Sequence, residues 1–148
     1  MSKPDATIPT FTLAEFDAAD TATMEVLIGG KPSGWFWEFA GPGHEKTEAQ
    51  KARVARERLR KSAEIERAQV NGRKWKPEED APETVVARNV ADIVERIVGW
   101  STVEIDGKPF PFTPQNATFL LSDPKRVSLL EQASEFLWNE QSFTGRSA

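Results

Sequence analysis

The 148-residue chain has no cysteine and no tyrosine, and its only histidine is His44. Without cysteine there can be no disulfide, no thiolate metal site and no cysteine nucleophile. A lone histidine leaves a metal site dependent on carboxylates brought from elsewhere, so His44, in a loop after Gly41-Pro42-Gly43, reads as an ordinary surface residue. No stretch approaches the ~20 apolar residues that a membrane helix needs. Met1-Ser2-Lys3-Pro4-Asp5 has no apolar run behind it, so no secretory signal is expected. Together these absences point to a cytoplasmic protein with no metal or other cofactor and no membrane contact.

What is present suits one domain with a modest core: 39% hydrophobic and 28% charged residues. The net charge of −4 hides an asymmetry. Between Gly41 and Lys76 the chain is basic, and both flanks are acidic. Such a split can signal nucleic acid, an acidic partner or a solvated helix.

Residues 1 to about 10, with Pro4 and Pro9, read as a flexible arm. Phe11, Leu13 and Phe16 are expected to pin the next stretch to the core, and Thr12 with Glu15 matches a capping box. Ala22–Ile28 and Trp35–Ala40 alternate in polarity around Gly29-Gly30-Lys31-Pro32-Ser33-Gly34, the pattern of a β-hairpin. From Glu45 to Val70 there is no Pro or Gly and strong helix formers dominate. Ala52, Ala55, Leu59 and Ala63 form the thin stripe this helix is expected to bury. The first unit, 11–72, thus comprises hairpin and charged helix, and 73–82, carrying Trp75, reads as a linker.

The second unit, 83–148, is mostly helical and is expected to form one compact body with 11–72. Val86, Val90, Ile93, Val94 and Ile97 give an amphipathic helix over Glu83–Val98, ended by Gly99. Asp106-Gly107 signals a tight turn, and Pro109 and Pro111 confine the arm after it to an edge strand or extended loop. Thr113-Pro114 opens a short helix to about Leu121, and Asp123-Pro124 a last one to about Ser142. Val127, Leu130, Ala133, Phe136 and Leu137 form the buried face of that last helix. The fold class is α+β: an N-terminal hairpin or small sheet, a long charged helix and a mostly helical C-terminal part.

Nothing in the chain orders a catalytic site. There is no nucleophile elbow around any serine, and Gly29–Gly34 lacks the spacing and the following helix of a phosphate loop. The basic helix holds seven Lys/Arg within 46–61, with Arg53, Arg56 and Arg60 along its surface. Glu48, Glu57, Glu64 and Glu66 interrupt it, and no aromatic interleaves. That is the pattern of a solvent-exposed, salt-bridged helix rather than of a nucleic-acid reader. The aromatics are more telling. Five Trp and nine Phe exceed what a modest core can bury. Exposed Trp and Phe are common interface anchors, and Trp35, Trp37, Trp100, Phe110, Phe112 and Trp138 are the candidate partner-binding residues. A protein that binds other proteins is expected, not an enzyme.

The run Gly99-Trp100-Ser101-Thr102-Val103-Glu104-Ile105-Asp106-Gly107-Lys108-Pro109-Phe110-Pro111-Phe112-Thr113-Pro114-Gln115-Asn116 resembles a segment of small tailed-bacteriophage proteins, the tail assembly chaperones and related tail proteins. The likeness extends to Leu120-Leu121, to Val127–Trp138 and Phe143, and to the Thr-Met-Glu-Val strand, Gly-rich turn and Ala-Gly-Pro-Gly before the charged helix. It spans most of residues 20–143 and includes no catalytic signature. It implies a protein that acts in the cytoplasm of the infected bacterial host. There it would keep the tape-measure protein soluble until tail-tube protein polymerises around it, and it would self-associate along that partner. The alternatives are a structural virion protein of the tail or head–tail junction, and a nucleic-acid-binding regulator that uses the basic helix.

Overall fold

The computed structural model describes residues 8–72, 81–139 and 141–144. Trp75 and the expected linker up to residue 80 lie outside them, as does the arm before Ile8. Strands β1 (Thr21–Ile28) and β2 (Lys31–Ala40) form the expected antiparallel hairpin. Gly29 and Gly30 both have positive φ, 59° and 79°. This gives the two-residue turn whose twist matches that of the strands. Pro32 stands opposite Leu27. The Leu27 N–H donates to the Gln132 side-chain oxygen at 2.7 Å, and the Gln132 amide donates back to the Leu27 carbonyl at 3.0 Å. Leu27 therefore asks nothing of β2, and the missing N–H of Pro32 breaks no ladder bond. The same amide closes part of the outer edge of β1, which would otherwise invite further strands.

Thr47, near the start of α1 (Glu45–Val70), donates to the Gly41 carbonyl at 2.7 Å. His44 caps this helix, its Nδ1 accepting from the Lys46 N–H at 3.0 Å. The helix runs about 39 Å at ~1.5 Å per residue. Its orientation differs from the sequence expectation. Ala52, Ala55, Leu59 and Ala63 face solvent, Leu59 at 71% exposure, and the helix meets the body through Thr47, Gln50, Arg53 and Val54. A thin alanine stripe offers little apolar area, and the polar ties described below outweigh it.

Helix α2 (Pro82–Arg96) starts on Pro82, placed in the linker by the sequence and here a first-turn proline. Val90, Ile93 and Val94 are buried as expected, whereas Val86, nearer the start of the helix, is exposed. The helix ends at Arg96 rather than Val98, and the chain passes without a loop into β3 (Ile97–Trp100). β3 pairs antiparallel with β2, matching Trp37 to Trp100 and Glu38 to Gly99. The sheet is therefore three-stranded, with β2 central. β4 (Glu104–Ile105) and β5 (Lys108–Pro109) make a small hairpin, with Asp106 and Gly107 at φ 53° and 76°. Helix α3 (Pro114–Ser122) is capped by Thr113, and a 3-10 turn over Pro124–Arg126 leads into α4 (Val127–Trp138). α4 stops short of the expected Ser142, because the Asn139 side chain accepts from the Gln141 N–H and starts a separate turn, α5 (Gln141–Thr144). Val127, expected inside, is exposed.

One core joins the two halves of the chain. Trp37 and Phe39 from β2 pack with Val90, Ile93, Ile97, Leu121, Leu137 and Phe143. Phe11, Leu13 and Phe16 do not take part: all three are exposed around a 3-10 turn over Leu13–Glu15, with the Phe11 and Phe16 rings 5.3 Å apart. The core closes at Gly41, whose N–H donates to the Asp20 carbonyl at 2.7 Å. A Cβ there would lie 2.3 Å from the Ala19 carbonyl oxygen and 2.8 Å from the Phe143 ring. Gly41→Ala should therefore cost about 2 kcal/mol or more through overpacking, read as a lowered urea midpoint with an unchanged slope.

Candidate partner-binding surface

Five of the six aromatic residues singled out in the sequence converge at the sheet: Trp35, Trp37, Trp100, Phe110 and Phe112. Trp37 and Trp100 are cross-strand neighbours with ring centroids 5.0 Å apart, and Trp35 meets them edge-on at 5.3 and 5.2 Å. The segment after β3 folds back over Trp100. Phe110 stacks on the indole at 5.8 Å and 10°, and Phe112 meets it edge-on at 5.0 Å. The Trp100 Nε1–H donates to the Phe110 carbonyl at 3.0 Å, and the Phe110 N–H donates to Val103 at 3.0 Å. The β4–β5 turn makes this reversal possible. Pro109, which stands opposite Glu104 in the two-residue strand β5, and Pro111, beyond its end, sit beside the cluster.

Burial divides the candidates. Trp37 is wholly inside and is a core residue, not a contact for a partner. Trp35, Trp100, Phe110 and Phe112 are half-buried. Trp100, Phe110 and Phe112, with Val103, Pro109 and Pro111, line a cleft of about 260 Å³. Trp138 does not join them. It is 55% exposed at the end of α4, with the Arg96 guanidinium 5.9 Å above its ring. The indole nitrogens of Trp35 and Trp37 are buried without a hydrogen-bond partner among the described residues. Each such donor costs about 1–3 kcal/mol, so the apolar contacts of the tryptophan cluster outweigh a penalty of that size. Sequence reasoning missed Phe36 and Phe119, which are exposed on β2 and α3. Phe36 was recoverable, since it falls on the strand face opposite Trp35 and Trp37.

The basic residues also separate. Arg53 is bound inward, bonding Glu57 at 3.0 Å, Asp92 at 3.0 Å and Glu95 at 2.9 Å. Gln50 donates to the Asp92 carbonyl and to Glu95. Arg96 is buried, donates twice to the Ala40 carbonyl and once to Gln50, and has its pKa lowered by that burial. Arg53 thus helps hold α1 to α2, while Arg56 and Arg60 point outward with no ion pair among the described residues. Those pairings hold Arg53 well above its ordinary pKa, the hydrogen bond to Glu95 contributing most. Among the described residues no three His, Asp or Glu gather as a metal-binding group, and no helix is long and apolar enough to cross a membrane. No protein-family model, no curated protein and no solved structure matches the chain.

The Arg53 hydrogen bonds, with a smaller contribution from Gln50, hold Glu95 below the ordinary carboxylate value of 4.5, against desolvation. A carboxylate with a depressed folded pKa contributes stability above its unfolded pKa and loses it as pH falls through the folded one. Glu95→Gln should therefore weaken the protein at pH 7, with the difference from wild type shrinking progressively below about pH 4.5. Urea unfolding at pH 7 and pH 3.5 checks this. An equal deficit at both values would assign the loss to packing instead.

Proposed function

We propose that this protein is a tail assembly chaperone of a tailed bacteriophage, a binding protein rather than an enzyme, acting in the host cytoplasm on the tape-measure protein. The observation that carries the reading is the half-buried aromatic cleft of Trp100, Phe110 and Phe112, built from the segment on which the resemblance rests. A helical client that exposes apolar faces before assembly needs a cover that can later be displaced. A few aromatic anchors in a small cleft, with a polar rim, suit such reversible contact better than a large dry interface. The unusual length of charged helix left in solvent fits the same role, since it keeps a chaperone–client complex soluble. In support of a non-catalytic role, the Nδ1 lone pair of the single histidine is used to cap α1.

Co-expression with the tape-measure protein, followed by size-exclusion chromatography with light scattering, tests the reading. A soluble complex of defined mass is expected. Phe112→Ala and Trp100→Phe should weaken it about tenfold or more each while leaving the far-UV circular dichroism unchanged, in the range of interface anchors. Absence of a complex, with the protein retained in purified particles, would favour a structural virion protein. Binding to DNA that falls steeply with salt would favour a regulator using the basic helix.

A further inference from the structure

β1 is an edge strand, with no strand beyond it among the described residues. Its backbone groups turn alternately towards β2 and outward. The Asp20 carbonyl turns towards β2 and accepts from the Gly41 N–H, whereas the Ala19 N–H turns outward and donates to the Phe143 carbonyl at 2.7 Å. Leu27 also turns outward, to Gln132. By the alternation of a strand, Thr21, Thr23 and Glu25 turn outward with them. No described group bonds their backbone from that side. The outer edge is thus closed at Ala19 and at Leu27 and open between them. Beside the start of the open stretch lies a depression of about 780 Å³, walled by Ala18, Thr21, Ala22 and Thr23 and, across from them, by Phe136 and Phe143.

An open edge is a template for strand addition, in which backbone bonds give affinity and alternate side chains read two different surfaces. The two surfaces here are unlike. Met24, Val26, Trp37 and Phe39 point into the core, so Thr23, Glu25 and Glu38 share the opposite face of the sheet. Among the described residues Glu38 accepts only a long bond from the Thr21 hydroxyl and Glu25 only the Gly34 N–H, and neither carboxylate has a cationic partner. On the core side the depression offers Ala18, Ala22 and the Phe136 and Phe143 rings. We propose that the open edge over Thr21–Glu25 takes an extended segment of a partner polypeptide as a fourth strand, one whose side chains alternate basic and apolar. The basic side chains lie beside Thr23 and Glu25, and the apolar ones enter the depression. Asp17, which also lines the depression, adds negative charge at its mouth. A helix cannot take this place, because its backbone groups are already bonded within it. The edge lies across the sheet from Trp100, so the inference concerns a second surface and does not rest on the chaperone reading.

Amide hydrogen exchange on the full chain tests this, with a short end-blocked peptide of alternating lysine and valine as the probe. In the free protein the Thr21, Thr23 and Glu25 amides should exchange fast. Saturating peptide should slow Thr23 and Glu25 about tenfold or more, while Ala22 and Met24, already facing β2, change little. A peptide of alternating glutamate and valine should not bind. N-methylation removes the donors of one peptide edge at a time. Methylating the set that faces β1, either the lysine or the valine amides, should weaken binding about tenfold or more, and methylating the other set should leave it unchanged. Thr23→Pro removes one outward donor and no β2 ladder bond, so the variant should keep its circular dichroism and lose peptide affinity to a similar degree. If that variant does not fold, the two methylated peptides decide alone. Glu25→Gln, which keeps an acceptor for the Gly34 N–H, should weaken binding about two- to fivefold. Three results overturn the proposal. Slow exchange at Thr21, Thr23 and Glu25 in the free chain would mean that the edge is already covered, by the chain's own ends or, where protection grows with protein concentration, by a second copy. Binding that neither methylation impairs would be charge attraction alone. No protection at millimolar lysine–valine peptide would leave the edge without this ligand.

Discussion

The pairing of β3 with β2 is the constraint on which the rest of the molecule depends. It joins a strand from the second half of the chain to the centre of a hairpin from the first. A two-stranded hairpin is marginal in water, whereas a third strand and a helical cover give a face that can be buried. Once Trp100 stands beside Trp37, the tryptophan cluster forms, and the chain leaving β3 can fold Phe110 and Phe112 back over the indole. Core and aromatic cleft thus share one origin.

A second, polar junction sets how α1 leaves this body. Arg96, the last residue of α2, is buried against the Ala40 carbonyl at the end of β2, and Gln50 and Arg53 bind the α2 groups around it. These bonds form a connected network, and losing one partner would leave another buried and unsatisfied. The network grips only the first turns of α1. The remainder extends as a charged rod, with Leu59 and Val70 in solvent.

These two features bear on function in different ways. The cleft at Trp100 is small and lined by aromatic rings and prolines, of a size to receive an apolar side chain. The rod carries eight Lys/Arg against five Glu and lies apart from the cleft.

Local chemistry made much of the fold legible in advance. Gly29-Gly30 and Asp106-Gly107 specify their turns because few residues tolerate positive φ. Thr113-Pro114 and the Pro- and Gly-free run over 45–70 specify their helices because capping and propensity act within a few residues. What local pattern could not decide was which surfaces meet. Ile97 and Val98 fit the helical period but also suit a strand, and only the vacant edge of β2 made them β3. The alanine stripe of α1 gave the expected inner face, yet the partners on α2 are polar, so Gln50 and Arg53 turned the helix the other way. The candidate aromatics were visible by composition, but burial separated Trp37 from Trp100 and left Trp138 apart. The sequence by itself determined the elements and their ends, because those depend on neighbours along the chain. Only the tertiary structure decided the third strand, the face of the long helix and the exposed rings, because those depend on groups ~40 or more residues away competing for the same backbone and charge.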